Sequence, residues 1–169
     1  EYYVLEEDGK LHIEGGKETV IRCYPKLKDF SVLPDGFEAC GLDHEFTLYR
    51  RREKAEDTRV TVTEGTVGED SRIYNLKITS PETWRDTILS LDFGGDKIEI
   101  FRDGEMLTDS YYTGEPVQIS LRYFDFPQEL QVKIYPLKED APRFLERWPQ
   151  MKDGCACELY GVGVKNLVW

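Results

Sequence analysis

Apolar and polar positions alternate along this chain in short runs with a period of two, the spacing of a strand that has one buried face. The clearest series is Thr87–Phe93, with Leu89, Leu91 and Phe93 at every second position. Gly94-Gly95-Asp96 then turns the chain into Lys97–Arg102, where Ile98 and Ile100 share a face, and Asp103-Gly104 turns it again. Val117–Leu121 and Leu130–Tyr135 continue the pattern. Further strands are predicted at Tyr2-Tyr3-Val4-Leu5, Lys10–Glu14, Glu18–Tyr24, Glu45–Arg51, Arg59–Glu64 and Arg72–Ile78.

The runs are separated by turn pairs. Asp-Gly occurs at Asp8-Gly9, Asp35-Gly36, Asp103-Gly104 and Asp153-Gly154, and Gly-Gly at Gly15-Gly16 and Gly94-Gly95. Such pairs supply the positive φ angles of tight hairpins. Many short strands between turn signals predict an all-β fold, a β-sandwich. One short helix is predicted over Asp140–Trp148, with Asp140 as cap, Pro142 in the first turn and Pro149 as stop. Phe144, Leu145 and Trp148 would form its buried stripe. A soft boundary falls near Ser80-Pro81, but residues 1–169 are expected to form a single sandwich domain.

Composition narrows the function classes. The chain has 169 residues, 40% hydrophobic and 12% aromatic, enough large side chains for a core. Its net charge of -11 argues against nucleic acid and against an anionic membrane surface, both of which need basic patches. The only basic run, Arg50-Arg51-Arg52, is followed at once by Glu53, Glu56 and Asp57. The pattern begins in mid-strand at Glu1, so the chain reads as a piece of a longer protein.

Catalytic motifs are missing. There is no phosphate-binding glycine loop, since Gly161-x-Gly163 lacks a third glycine, and no Gly-x-Ser-x-Gly elbow. Cys23, Cys40, Cys155 and Cys157 include no Cys-x-x-Cys pair, and His12 and His44 lie far from Cys155-x-Cys157, so no transition-metal site is expected. Reduced, buried thiols are the expected state. If His44 lay in a strand, Asp43 and Glu45 would face away from it.

The segment from Thr87 to Glu146 carries a resemblance. Leu89-Ser90-Leu91-Asp92-Phe93 with Gly95-Asp96, the Phe101–Leu107 hairpin and Tyr111-Tyr112-Thr113-Gly114 occur in that order. Ile119-Ser120-Leu121 and Ile134–Pro142 complete the series. It resembles the C-terminal galactose-binding-like jelly-roll domain of glycoside hydrolase family 35 β-galactosidases. The resemblance covers a little over a third of the chain. It implies a jelly-roll sandwich acting as a non-catalytic accessory domain, partnered by the catalytic TIM-barrel domain of the parent protein. It also implies contact with galactosides or plant polysaccharide. No cofactor is expected; structural calcium is common in this fold and stays open, although no Asp-rich calcium loop is present.

Carbohydrate recognition uses aromatic faces against the sugar ring with charged and amide groups reaching the hydroxyls. The candidate carbohydrate-binding residues are Trp84, with Arg85 beside it, then Tyr111, Tyr112 and Trp148. Adjacent strand residues face opposite ways, so one of Tyr111 and Tyr112 is expected to be exposed. A structural role in domain or subunit packing, with no sugar bound, is the alternative.

Overall fold

A computed structural model of the chain describes residues 3–68, 70–81 and 84–168. It is built almost entirely from antiparallel strands, and the period-two pattern is the reason. Strand β8 (Asp86–Gly94) buries Thr87, Leu89, Leu91 and Phe93 in alternation with Ile88, Ser90 and Asp92. Strand β12 (Glu129–Tyr135) does the same with Leu130, Val132 and Ile134. Chain contacts divide the fold into two compact units. The first comprises Glu1–Asp57, Pro81–Asp86 and Lys165–Trp169, the second Thr58–Ser80 and Thr87–Val164.

In the first unit, β1 (Tyr3–Glu7) and β2 (Lys10–Glu14) form a hairpin closed by Asp8 and Gly9, both at positive φ. Strands β3 (Glu18–Cys23), β4 (Glu38–Asp43) and β5 (Phe46–Arg52) form a three-stranded sheet in the order β3-β5-β4. Ile13, Leu33 and Tyr49 are its small core. The Tyr49 phenol accepts a hydrogen bond from the Leu27 amide at 3.2 Å, so its polar end is satisfied inside. Arg51 is buried too, donating to Ile13 O at 3.3 Å and stacking over Phe37 at 5.0 Å. Burial pulls its pKa down, partly offset by the Glu53 charge.

The second unit is a β-sandwich. One layer has five strands: β6 (Arg59–Val67), β7 (Arg72–Thr79), β9 (Lys97–Arg102), β10 (Glu105–Tyr111) and β12, in the order β10-β9-β12-β7-β6. The other layer has the order β11-β8-β15, with β11 at Val117–Ser120 and β15 at Glu158–Leu167. Tyr74, Leu76, Ile98, Ile100, Val132 and Ile134 from the first layer share a core with Leu89, Leu91, Phe93, Ile119 and Leu121. A two-stranded pair, β13 (Leu137–Lys138) and β14 (Cys155–Ala156), completes the unit.

Three sequence expectations need correction. Residues 140–148 form no helix; among the described residues only short 3₁₀ turns occur, at Phe30–Val32 and Arg122–Phe124. Ala141 N bonds Lys138 O and Arg143 N bonds Ala141 O, tight turns that do not propagate. Pro142 has no N–H to offer, and Arg143 pairs with Asp96 while Arg147 pairs with Glu115. Phe144, placed on the buried stripe, is 95% exposed.

The turn pairs are the second correction. Asp8-Gly9, Asp103-Gly104 and Asp153-Gly154 have both residues at positive φ, as type I′ turns require. Gly94 and Gly95 are not in that region; they are buried because side chains approach them. The third concerns the thiols. All four cysteines are free, but Cys40 is exposed on the solvent-facing strand β4 and the other three are only half-buried.

Candidate functional site

The hairpin of β9 and β10 delivers Tyr111 and Tyr112 to one end of the second unit. Asp103 and Gly104 close the hairpin with Arg102 opposite Glu105. Where β10 ends, the Tyr112 amide bonds Asp96 O at 3.0 Å, which holds the two tyrosines beside the Gly95-Asp96 turn. They then part. Tyr112 packs edge-on against Phe93, with ring centroids 5.6 Å apart. Burial, followed by the Asp92 charge, pushes its phenol pKa up, against the opposing charge of Arg147. Tyr111 faces solvent and is 59% exposed.

Around them lies a shallow depression of about 150 Å³, lined by Asp96, Tyr111, Tyr112, Arg143, Phe144 and Leu145 with Gly95 and Leu137. Arg143 donates to Asp96 Oδ2 at 3.0 Å, and its guanidinium lies 5.5 Å from the Tyr111 ring centroid. An arginine held by a carboxylate and an aromatic face keeps several N–H donors in fixed directions. Beside it, Arg147 pairs with Glu115 at 2.7 Å. Gly114 makes room for that arm: it sits at φ 89°, and a Cβ there would be 3.0 Å from Arg147 Cβ.

Of the five candidate residues, the structure brings together Tyr111 and Tyr112. Trp148 belongs to the same unit and is partly exposed, but does not line the depression. Trp84 and Arg85 belong to the first unit. Trp84 is only 4% exposed, and its indole N–H donates to Glu56 O at 2.9 Å. Arg85 forms a close ion pair with Glu14, and its amide bonds Leu167 O at 2.9 Å. Both therefore hold the first unit together. Asp96, Arg143 and Phe144 were missed. Asp96 reads as turn residue, and the other two were absorbed into the expected helix. The signal available was Pro142 immediately before an Arg-Phe pair that no strand pattern claimed.

The hollow presents the Tyr111 ring beside the fixed Arg143–Asp96 pair. His44 sits in the β4–β5 turn at φ 55°, with Nδ1 2.9 Å from Asp43 Oδ1. Among the described residues no group of three or more His, Cys, Asp or Glu side chains is placed to hold a metal ion, and no helix is long and apolar enough to cross a membrane.

Comparison of the chain with protein-family models, with curated proteins and with solved structures finds no match.

Proposed function

We propose that this chain is a non-catalytic accessory domain of a β-galactosidase-like glycoside hydrolase, of galactose-binding-like jelly-roll type, and that it contacts carbohydrate at the Tyr111 depression. The observation that carries the reading is the placement of Tyr111, Phe144 and the Arg143–Asp96 pair around one shallow hollow. Exposed aromatic rings offer apolar faces for a pyranose, and the arginine and carboxylate reach its hydroxyls. The resembling segment, Thr87–Glu146, falls wholly within the second unit, which also holds this hollow. Catalysis would reside elsewhere in the parent protein, because a TIM barrel needs about 250 residues of its own.

Calorimetric titration with galactose, lactose and a β-galactan oligosaccharide tests this. Saturable binding that Tyr111→Ala abolishes supports the reading. Flat titrations for all three ligands defeat it. The alternative is a structural packing module without sugar binding. It is favoured by the exposed apolar residues Tyr24, Leu42 and Phe46, which lie on or beside the three-stranded sheet of the first unit.

A further inference from the structure

The outward face of the five-stranded sheet carries a second surface with its own chemistry. Four strands contribute to one cross-strand row: Thr63 on β6 is in register with Asn75 on β7, Asn75 with Gln131 on β12, and Gln131 with Phe101 on β9. A parallel row one pleat away has Thr61 opposite Lys77 and Lys77 opposite Glu129, with Asp103 at the neighbouring turn. Because alternate residues point to opposite faces, all the strand residues of both rows project away from the core formed by Leu76, Ile100, Leu130 and Val132. The two rows line an open groove of about 450 Å³, within the size range of small-molecule and oligomer sites. Crossing four strands at about 4.8 Å spacing, it is roughly 14 Å long.

Its lining selects a ligand class. The Gln131 amide donates to Asn75 Oδ1 at 3.3 Å, so the two planar amides are aligned edge to edge. That arrangement leaves the Gln131 carbonyl as an acceptor and the Asn75 amide as a donor, a pairing that matches hydroxyl groups, which both give and accept. Thr61 and Thr63 add hydroxyls, and Phe101 ends the row with an aromatic surface. Lys77 is outnumbered by Glu129 and Asp103, so the lining carries one net negative charge. An anionic ligand would meet repulsion there.

We infer that this groove is a binding site for a neutral oligosaccharide chain laid across strands β6, β7, β12 and β9. The site is separate from the Tyr111 hollow and extends the carbohydrate reading from a sugar end or single ring to a polymer. It is testable whether or not the hollow binds.

The test is native affinity electrophoresis of the chain in gels containing soluble galactan, xylan or mixed-linkage β-glucan, with polygalacturonate as the anionic comparison. The variants are Asn75→Ala/Gln131→Ala and, for the hollow, Tyr111→Ala. Both amides are on exposed strand positions, so equal thermal midpoints establish that the double variant folds. The expected result is retardation of the wild type in at least one neutral gel, with apparent affinity reduced about tenfold or more in the double variant, as for two lost hydrogen bonds. Loss in the amide variant is the criterion, whatever Tyr111→Ala does. Migration unchanged in every neutral gel overturns the inference, as does retardation by polygalacturonate alone. Retardation kept by the amide variant and lost by Tyr111→Ala also overturns it, while leaving the hollow as the carbohydrate site.

Discussion

Tyr135 donates its phenolic hydrogen to Glu99 Oε2 at 2.8 Å, across the register of β12 and β9, while Lys97 holds the other carboxylate oxygen at 2.6 Å. Burial acts to raise the Glu99 pKa, but the Lys97 and Tyr135 hydrogen bonds and the charges of Lys97 and Lys133 outweigh it, so the value is lowered. A carboxylate whose folded pKa lies below its unfolded one stabilises the fold fully above the ordinary glutamate value of about 4.3. That contribution is lost as the pH falls through the depressed value. Urea midpoints measured from about pH 3 to 7 should therefore drop more steeply in the wild type than in Glu99→Gln on the acid side. Superimposable profiles would show that the network contributes nothing.

Gly94 and Gly95 should be intolerant of even one methyl group. A Cβ on Gly94 would overlap the Tyr160 phenol, and one on Gly95 would come within 2.6 Å of both Ile134 Cγ2 and Tyr135 O. Alanine at either position is expected to cost about 1–3 kcal/mol, the range for overpacking a filled interior. Gly16→Ala is the matched control, since nothing lies within 4 Å of its added carbon. Equal urea midpoints for Gly95→Ala and Gly16→Ala would contradict this.

Trp84 is predicted to matter for stability. Removing its ring in Trp84→Ala should destabilise by about 3–5 kcal/mol. Trp84→Phe keeps most of the packing but strands the Glu56 carbonyl that the indole serves at 2.9 Å, with an expected loss of about 1–2 kcal/mol. Chemical denaturation followed by circular dichroism resolves both steps. A fully stable Trp84→Ala would mean that the ring is dispensable to the first unit.

The thiols should react in order of exposure. Cys40 is open on β4, whereas burial raises the pKa of Cys23 and of Cys157, whose Sγ also donates to Ile134 O at 3.3 Å. A raised pKa leaves less thiolate, the reactive form. Timed labelling with a disulfide reagent at neutral pH is expected to modify Cys40 first, and Cys40→Ser should remove the fast phase. A fast phase that survives this change assigns it to another cysteine.

Much of the fold was legible because many of its strands bury one face. Lys10–Glu14 and Lys97–Arg102 match the observed strands to the residue, and Arg72–Ile78 falls one residue short. Strand β4 gave no signal: Glu38–Leu42 is exposed throughout, so no alternation is imposed on it. Strand β15 was hidden by Gly161 and Gly163 and by an exposure pattern without period. The helix error has the converse cause. Phe144, Leu145 and Trp148 have helical spacing, but Phe144 is spent on the surface, where periodicity carries no meaning. The candidate site was half visible for the same reason. Tyr111 and Tyr112 stand out as a pair at a strand end, whereas Asp96 and Arg143 meet only through tertiary structure, 47 positions apart.

The pairing of Gly15 with Val168, through N–H···O bonds of 3.1 and 2.9 Å in the two directions, bears on how the chain is made. Translation proceeds at about 5–20 residues per second, so the β2 end waits on the order of ten seconds or more for its partner to be synthesised. Meanwhile the intervening second unit, encoded between the pieces of the first, emerges whole before Lys165. Of the two units, the one whose residues come first in this sequence is therefore the second to have all its residues made. Residues from Lys165 onward, which follow the second unit in sequence, complete the unit to which Glu1–Asp57 belongs.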